Sequence, residues 1–255
     1  MSTAALRPIA LPAFAFALVI ALWEFVVTAF HIPVFLLPPP SAILSEGIKF
    51  GWPLITVHTT ATLQTILLGF ACAVVFAVPL GVLLAANRLT AEALYPLIVF
   101  AHAVPVIAIA PIVVVSFGVG LVSRLIVVTL ICFFPIMVST ASGILNTPRD
   151  MNDLGITVGA SKVQRVLTIS LPNALPFIFN GFRIGITGSV IGAVVGEFVS
   201  ANAGLGYIIV RSTSDFNIPL AMAAVIILAV ISVVLYQFVS VIQAWATPWA
   251  PKLDR

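Results

Sequence analysis

The sequence has very little charge. Only 7% of its 255 residues are Asp, Glu, Lys or Arg, whereas 62% are hydrophobic; soluble domains carry about a quarter charged residues. A chain this apolar cannot cover a water-facing surface with polar groups, so lipid must be the solvent for much of it. The formal charge of +3 is modest and forms no basic stripe, which argues against nucleic-acid binding.

Catalytic, redox and metal-binding motifs are also missing. The lysines are Lys49, Lys162 and Lys252, and none follows a glycine and precedes Ser or Thr as in a phosphate-binding loop, so ATP hydrolysis is not assigned to this chain. Cys72 and Cys132 lie in separate apolar runs, without a second Cys or a spaced His nearby, and we expect reduced core residues. The absence of Gly-x-Ser-Gly, His-Glu-x-x-His and paired intramembrane aspartates argues against an intramembrane protease.

What the chain does have is long apolar runs. A bilayer is crossed by about 20 apolar residues in a helix, and the runs predict an all-α integral membrane protein with about six spans in one domain, 1–255. The spans are expected at about 9–30, 60–86, 94–117, 123–145, 172–199 and 219–245. The first is taken as a retained span, since no small-x-small cleavage site follows it. Three prolines in the third predict that it is bent or broken.

The basic residues predict the orientation. Seven of the 11 lysines and arginines fall on the side that holds both termini, the second-to-third loop and the stretch after the fourth span; three fall on the other side, and Arg183 lies within the fifth span. Cytoplasmic loops carry the excess of Lys and Arg. Both termini are therefore expected in the cytoplasm.

The polar stretch 146–171 separates the fourth and fifth spans. Its sequence predicts two short helices, the first opened by Pro148 and Asp150. Gly159 permits a turn between them. Ser161, with Gln164 three residues later, has the form of a capping box and begins the second helix. Pro172 suits the first turn of the fifth span.

This stretch resembles a family. Importer permeases of the ATP-binding-cassette superfamily carry E-A-A-x3-G-x9-I-x-L-P, and here Asp153-Leu154-Gly155 is followed at the same spacing by Gly159 and by Ile169-Ser170-Leu171-Pro172. The departure is Asp-Leu-Gly in place of Glu-Ala-Ala, which keeps the acidic charge. The stretches 37–41, 133–135, 181–183 and 204–207 resemble the nitrate, sulfonate and taurine branch, and 104–111 resembles permeases for thiamine-precursor pyrimidines and riboflavin.

The resemblance implies a type I importer permease fold, with 146–171 as a coupling segment that docks on a separate ATPase. The coupling residues carried over are Asp153, Gly159, Ser161, Arg165, Ile169, Leu171 and Pro172. It further implies a homodimer in the bacterial inner membrane, two cytoplasmic ATP-binding subunits that hold ATP and Mg²⁺, and a periplasmic or lipid-anchored solute-binding protein. No cofactor is expected on this chain. The solute would be a sulfonate-, taurine- or nitrate-like anion, or a pyrimidine-type vitamin precursor, moved by alternating access. The alternative interpretation of the segment is a well-capped surface loop.

A few polar residues inside the spans are candidates for the solute pathway: His102, Thr187, Ser189 and Glu197. Polar groups at membrane depth are energetically costly and are often functional. His102 could instead be a hydrogen-bonded core residue, and Glu197 a local cap. Glu24 is expected to be solvated near an interface, and Arg183 to pair or to extend towards the cytoplasm.

Five glycines of the fifth span, at 181, 185, 188, 192 and 196, form one stripe. Such stripes let helices approach closely. The stripe therefore predicts tight packing within the subunit or across a dimer, and the same face could border the pathway.

Two other classes remain. A self-sufficient secondary transporter predicts inverted repeats and several intramembrane ionisable groups, and no repeat at a fixed period is seen. A membrane-embedded enzyme needs a converging nucleophile and base, but of His31, His58 and His102 only His102 lies deep in a predicted span.

Overall fold

The computed structural model describes residues 3–249, apart from the side chains of 3–10, 88, 91, 94, 95 and 101. This part of the chain is helical and contains no strand. The helices are α1 (Thr3–Ala29), α2 (Pro40–Phe50), α3 (Thr60–Ala86), α4 (Arg88–Ala103), α5 (Val106–Phe117), α6 (Leu121–Leu145), α7 (Arg149–Thr157), α8 (Lys162–Arg165), α9 (Leu171–Ser200), α10 (Leu205–Ser214) and α11 (Ile218–Ala246). π-helical turns at Leu54–Thr59 and Val166–Ser170 lead directly into α3 and α9.

Five helical runs are long and apolar enough to cross a membrane. They are Leu11–Ala29, Leu54–Ala86, Leu121–Leu145, Lys162–Ser200 and Ile218–Ala246. All five coincide with predicted spans, and the all-α membrane fold is confirmed. That 1–255 is one domain stays a prediction.

The predicted third span, 94–117, is two helices rather than one. α4 ends at Ala103 and α5 begins at Val106, so the chain breaks at Val104 and Pro105. Proline has no N–H to donate and disfavours helical geometry in the residue before it, which accounts for the position of the break. Pro96 and Pro111 are tolerated inside their helices. At 12 residues, α5 is about 18 Å long and too short to cross the bilayer alone.

The fifth span does not start anew at Pro172. The helix that Ser161 caps runs through the π-helical turn and α9 to Ser200 without interruption. The wider turn at Val166–Ser170 lies just before Pro172, a position where the missing N–H would otherwise interrupt a regular helix. The second helix that Ser161 begins is therefore present and runs directly into α9.

α3, α6 and α9 form the centre of the bundle. Buried side chains from all three meet there, among them Ile66, Ile136 and Ile186. The glycine stripe of α9 lies against α6: a methyl group at Gly192 would come within 2.9 Å of the Val128 Cα atom. Gly181, Gly185, Gly188 and Gly196 likewise face α6 residues. Of the two packing alternatives, the stripe serves packing within the subunit.

The outer helices are attached by few polar contacts. Glu24 of α1 accepts hydrogen bonds from the Ser41 N–H (3.0 Å) and hydroxyl (2.7 Å), and so caps the amphipathic helix α2. α2 in turn packs on α11, where Gly47 lies beside Ala223. Arg183 lies 5.7 Å from the centre of the Tyr236 ring. These two ionisable residues of the spans therefore have structural partners.

Replacing Gly81 by Ala should loosen the crossing of α3 and α6. A methyl group there would lie 2.7 Å from the Met137 carbonyl oxygen and from Thr140 Cβ, and backbone cannot give way as a side chain can. We expect a loss of about 1–3 kcal/mol, as for other overpacked sites, measured as earlier thermal unfolding in detergent. Gly47→Ala is the control, because its methyl group would make an ordinary 3.5 Å contact. Equal stability of the two variants would contradict this account of the crossing.

Candidate functional site

The coupling segment begins with a helix that ends in a defined turn. In α7 the last carbonyls are satisfied by two bonds: Ala160 N–H donates to the Gly155 oxygen and Gly159 N–H to the Ile156 oxygen, each at 2.9 Å. This pair of bonds is the Schellman arrangement, which needs a residue of left-handed conformation. Gly159 supplies it with φ +75°. The predicted turn at Gly159 is present, and its physical reason is the positive φ.

The predicted capping box at Ser161 is also present. The Gln164 N–H donates to Ser161 Oγ at 3.3 Å, and the Ser161 N–H donates to Gln164 Oε1 at 2.8 Å. Two N–H groups at the start of the helix are thereby satisfied by the segment itself. The helix that continues into α9 therefore begins at Ser161, directly after Ala160 completes the turn that ends α7.

α7 packs on this helix through Gly155, which is buried. A methyl group at Gly155 would lie 2.9 Å from Arg165 Cγ and 2.9 Å from Ile169 Cδ1. The Asp-Leu-Gly departure from the family pattern therefore places its smallest residue at the tightest contact. We call this packed corner of α7, Arg165 and Ile169 the elbow. Sequence reasoning missed Gly155, although its signal was the small third position of the pattern.

The coupling segment exposes several large hydrophobic side chains, on α7 and on the start of the helix that follows it. Six large hydrophobic side chains are 49–72% exposed there: Met151, Leu154, Ile156, Val158, Val163 and Leu167. A cleft of about 340 Å³ opens beside them, between Met151, Ile169 and Trp249. Trp249 follows α11, so the end of the last span returns to this face. Large hydrophobic side chains that stay exposed on a helix outside the spans, as on α7, favour an interaction site.

The structure distributes the predicted coupling residues over three places. Asp153 and Ser161 are exposed at the surface, while Arg165 and Ile169 form the elbow. Leu171 and Pro172 lie in the first turn of α9, where Leu171 packs against the cluster around Ile144. Their roles in coupling stay predictions.

A second polar site lies at the opposite end of the bundle. Glu197, near the end of α9, is 1% exposed, and its Oε2 accepts from the Gly206 N–H at 2.8 Å and the Thr62 hydroxyl at 3.0 Å. Thr62 Oγ1 also accepts from the Leu205 N–H at 2.8 Å. Residues of α3 and α9 thus satisfy the first N–H groups of α10, which have no partner within their own helix. We call this set, with His58, the Glu197 network.

The turn before α10 tolerates no side chain. Gly204 has φ +128°, and a methyl group on it would lie 2.3 Å from the Glu197 carboxyl carbon. Its N–H donates to His58 Nδ1 at 3.1 Å, so a neutral His58 ring carries its proton on Nε2. Sequence reasoning identified Glu197 beside Gly204 and Gly206. It missed Thr62 and His58, which lie more than 130 residues away along the chain and carry no local signal.

The four predicted pathway residues are not gathered into one site. Ser189 is fully buried and its hydroxyl donates to the Ile186 oxygen at 2.6 Å, while the Thr187 hydroxyl bonds to its own helix. His102 is exposed, and its ring stacks on Phe134 at 3.8 Å between centres. Within the described part of the chain no hydrogen bond or ring contact joins His102, Thr187, Ser189 and Glu197. Their part in a pathway stays a prediction.

A family of known proteins matches most of this chain. The pattern described as "Binding-protein-dependent transport system inner membrane component" covers residues 77–250. The formylaminopyrimidine transport permease protein ThiX of Halalkalibacterium halodurans is 35% identical, over 94% of this chain and 96% of the relative. The riboflavin transport system permease protein RibX of Chloroflexus aurantiacus is 35% identical, over 91% and 87%. The taurine transport system permease protein TauC of Escherichia coli is 28% identical, over 91% and 87%.

Solved structures share the fold. A chain from inward-facing conformations of the MetNI methionine ABC transporter superposes with a TM-score of 0.70. The match covers 78% of this chain and 98% of the other, at 20% identity. At that identity the likeness concerns the fold alone.

Replacing Thr62 by Val should weaken the attachment of α10. The change keeps the shape but removes the hydroxyl, which leaves the buried Leu205 N–H without its acceptor and Glu197 without one donor. A buried polar group left unsatisfied costs about 1–3 kcal/mol, so we expect earlier thermal unfolding and faster proteolysis between α9 and α10. Thr62→Ser keeps the hydroxyl and is the control. If Val and Ser at this position unfold alike, the hydroxyl does not hold α10.

Proposed function

We propose, from the premise that this chain belongs to the family of binding-protein-dependent transport system inner membrane components, that its coupling segment docks on a separate ATPase subunit. The chain is a permease subunit of an ATP-binding-cassette importer for a small solute. The observation that carries the docking proposal is the exposed apolar side of α7, which lies beyond the predicted spans on the elbow. Exposed hydrophobic side chains outside the membrane are unfavourable in water, and a docked partner would bury them.

The physical reason for coupling is the continuity of the fifth span. The helical run Lys162–Ser200 has 39 residues, about 59 Å of helix, and joins the elbow at one end to Glu197 at the other. A displacement of α7 by the ATPase would therefore be transmitted to the Glu197 network. In alternating access, ATP binding draws two coupling segments together and opens the opposite end of the bundle to the solute. Hydrolysis then resets the inward-facing state.

The partners follow from this role. An importer of this family works with an ATPase and a solute-binding protein, and we propose that ATP and Mg²⁺ are held by the ATPase alone. We further propose a second copy of this chain as the other half of the permease, and a surrounding layer of bilayer lipid. The elbow end faces the cytoplasm of a bacterial inner membrane, together with both termini. Lys252 and Arg255, which support this orientation, lie outside the described residues.

Two solute classes fit this function. Relatives of this chain are named as permeases for formylaminopyrimidine, riboflavin and taurine, so the proposed solute is either a heteroaromatic vitamin precursor or a small sulfonate-like anion. The family favours an ATP-driven importer over the self-sufficient secondary transporter. It also favours a permease over an embedded enzyme.

Gly159→Pro should release the ATPase and leave the spans in place. Proline fixes φ near −65°, which is incompatible with φ +75° at this turn, so the α7 turn cannot close. We expect the variant to reach the membrane at normal levels and to lose most co-purification with the ATPase. Gly118→Pro is the matched control, because Gly118 has φ +82° and open space around it at the opposite end of α6. Retention of the ATPase by Gly159→Pro, or its equal loss from both variants, would count against docking on this segment.

Leu154→Asp tests the docking surface without altering the backbone. Leu154 is 64% exposed, so a charge there leaves the isolated chain stable, but it would be buried without a partner under a docked ATPase. We expect at least a ten-fold weaker affinity for the ATPase, measured by titration in nanodiscs. Val119→Asp, 69% exposed in the turn between α5 and α6, is the control and should bind normally. Unchanged affinity of Leu154→Asp would place the ATPase elsewhere.

A further inference from the structure

α9 leaves one narrow strip of its surface uncovered. Four of the five large hydrophobic side chains that this helix exposes follow one another at intervals of seven residues: Phe177, Ile184, Ile191 and Phe198. Each is 40–60% exposed, whereas other sides of the helix are covered by α3, α6 and α11. A repeat of seven is the spacing at which residues of one helix stay in contact with a second helix wound around it left-handedly. The strip, which we call the α9 seam, therefore has the pattern of a surface that packs on another helix.

The seam contains one amide. Asn180 lies three residues after Phe177 and four before Ile184. Its side chain is exposed and has no hydrogen-bond partner among the described residues. A bilayer is crossed by about 20 residues of helix, and every stretch of that length in the run Lys162–Ser200 includes Gly181, the next residue. An amide that faces only lipid tails lacks a hydrogen-bond partner and is unfavourable there. The seam therefore needs a partner that is apolar along its length and offers one polar group at the level of Asn180.

A second copy of this chain meets both requirements, whereas lipid tails offer no hydrogen-bonding group. Two copies inserted in the same orientation are related by a twofold axis along the membrane normal, so each seam residue meets its own counterpart. The amide N–H of Asn180 then donates to the amide oxygen of Asn180 in the second copy. A single polar pair in an apolar seam fixes the register and the number of helices in coiled coils, and Asn also forms hydrogen bonds between helices in membranes. The glycine stripe of α9 is already occupied by α6.

We propose that the α9 seam is the face on which two copies of the permease pack, with Asn180 paired to its counterpart across the twofold axis. The inference rests on the second copy proposed above and assigns the residues that join the pair. The two helices that link the elbow to the Glu197 network then lie side by side. A movement of one coupling segment is thereby passed to the α9 helix of the other copy.

Cysteine cross-linking of the full-length permease, with its ATPase in nanodiscs, tests the seam. A disulfide forms only where two Cα atoms come within about 7 Å, as seam residues and their counterparts do. We expect Ile184→Cys and Ile191→Cys to give disulfide-linked dimers on mild oxidation, which is run with and without ATP so that both arrangements of the cycle are sampled. Val199→Cys is the matched control, because Val199 is 40% exposed on the same helix but lies off the repeat of seven. It should give no more dimer than the parent chain, which carries Cys72 and Cys132.

Asn180 provides an independent measurement. Asn180→Leu removes the amide from an exposed position and should weaken association of the two copies about three- to thirty-fold, the range expected for hydrogen bonds between membrane helices. Asn180→Gln keeps the amide and should restore most of this loss. Association is measured by energy transfer between labelled copies as they are diluted in liposomes.

Either of two results would overturn the inference: no dimer above the parent level from both seam cysteines, or equal association of Asn180→Leu and the parent chain. If a water-soluble maleimide labels the seam cysteines and no cross-link forms, the strip lines a wet path instead. Photobleaching counts the copies in each nanodisc on the same samples. If two copies are present and the seam cysteines do not link, this inference fails and the proposed pair stands. If a single copy is present with the ATPase bound, the proposed second copy fails as well.

Discussion

α9 and α6 approach each other so closely that a methyl group on Gly192 would lie 2.9 Å from the Val128 backbone. In lipid there is no hydrophobic force between helices, and close van der Waals packing of small residues takes its place. α3 packs on this pair through Gly69 and Gly81, the elbow lies at one end of α9, and the Glu197 network lies at the other. A helix packed this closely along its length moves as one body.

Backbone polar groups inside a membrane need hydrogen-bond partners, and two turns of this chain differ in how far that need is met. At the turn before α10, side chains from distant parts of the sequence accept each leading N–H, so that end is closed. At the break before α5, the N–H groups of Val106 and Ile107 have no acceptor among the described residues, and the exposed His102 lies at the same break. The same constraint is thus met by side chains at one turn, and at the other no acceptor lies among the described residues.

Local chemistry could be predicted from the sequence, and contacts between distant segments could not. The turn at Gly159 and the capping box at Ser161 could be predicted because their hydrogen bonds join residues no more than five apart in the sequence. The prolines predicted a bend or break in the third span, but the span holds three of them, and the sequence did not show that the break would fall at Pro105. Glu197 was visible as a buried acid, whereas Thr62 reaches it across 135 residues as one threonine among many. The continuity of the second helix with α9 could not be predicted, because the π-helical turn before Pro172 has no sequence signal of its own.

The uninterrupted helix from Ser161 to Ser200 has a thermodynamic consequence. Two sites that bias one rigid element are linked, and linkage between binding free energies is reciprocal. If docking at the elbow shifts the Glu197 end towards its open arrangement by some factor, then a partner that prefers that arrangement must tighten ATPase docking by the same factor. A solute-loaded binding protein on the far side of the membrane would thus change the affinity of the permease for the ATPase. The position of a single helix would transmit this change, without a separate sensor domain.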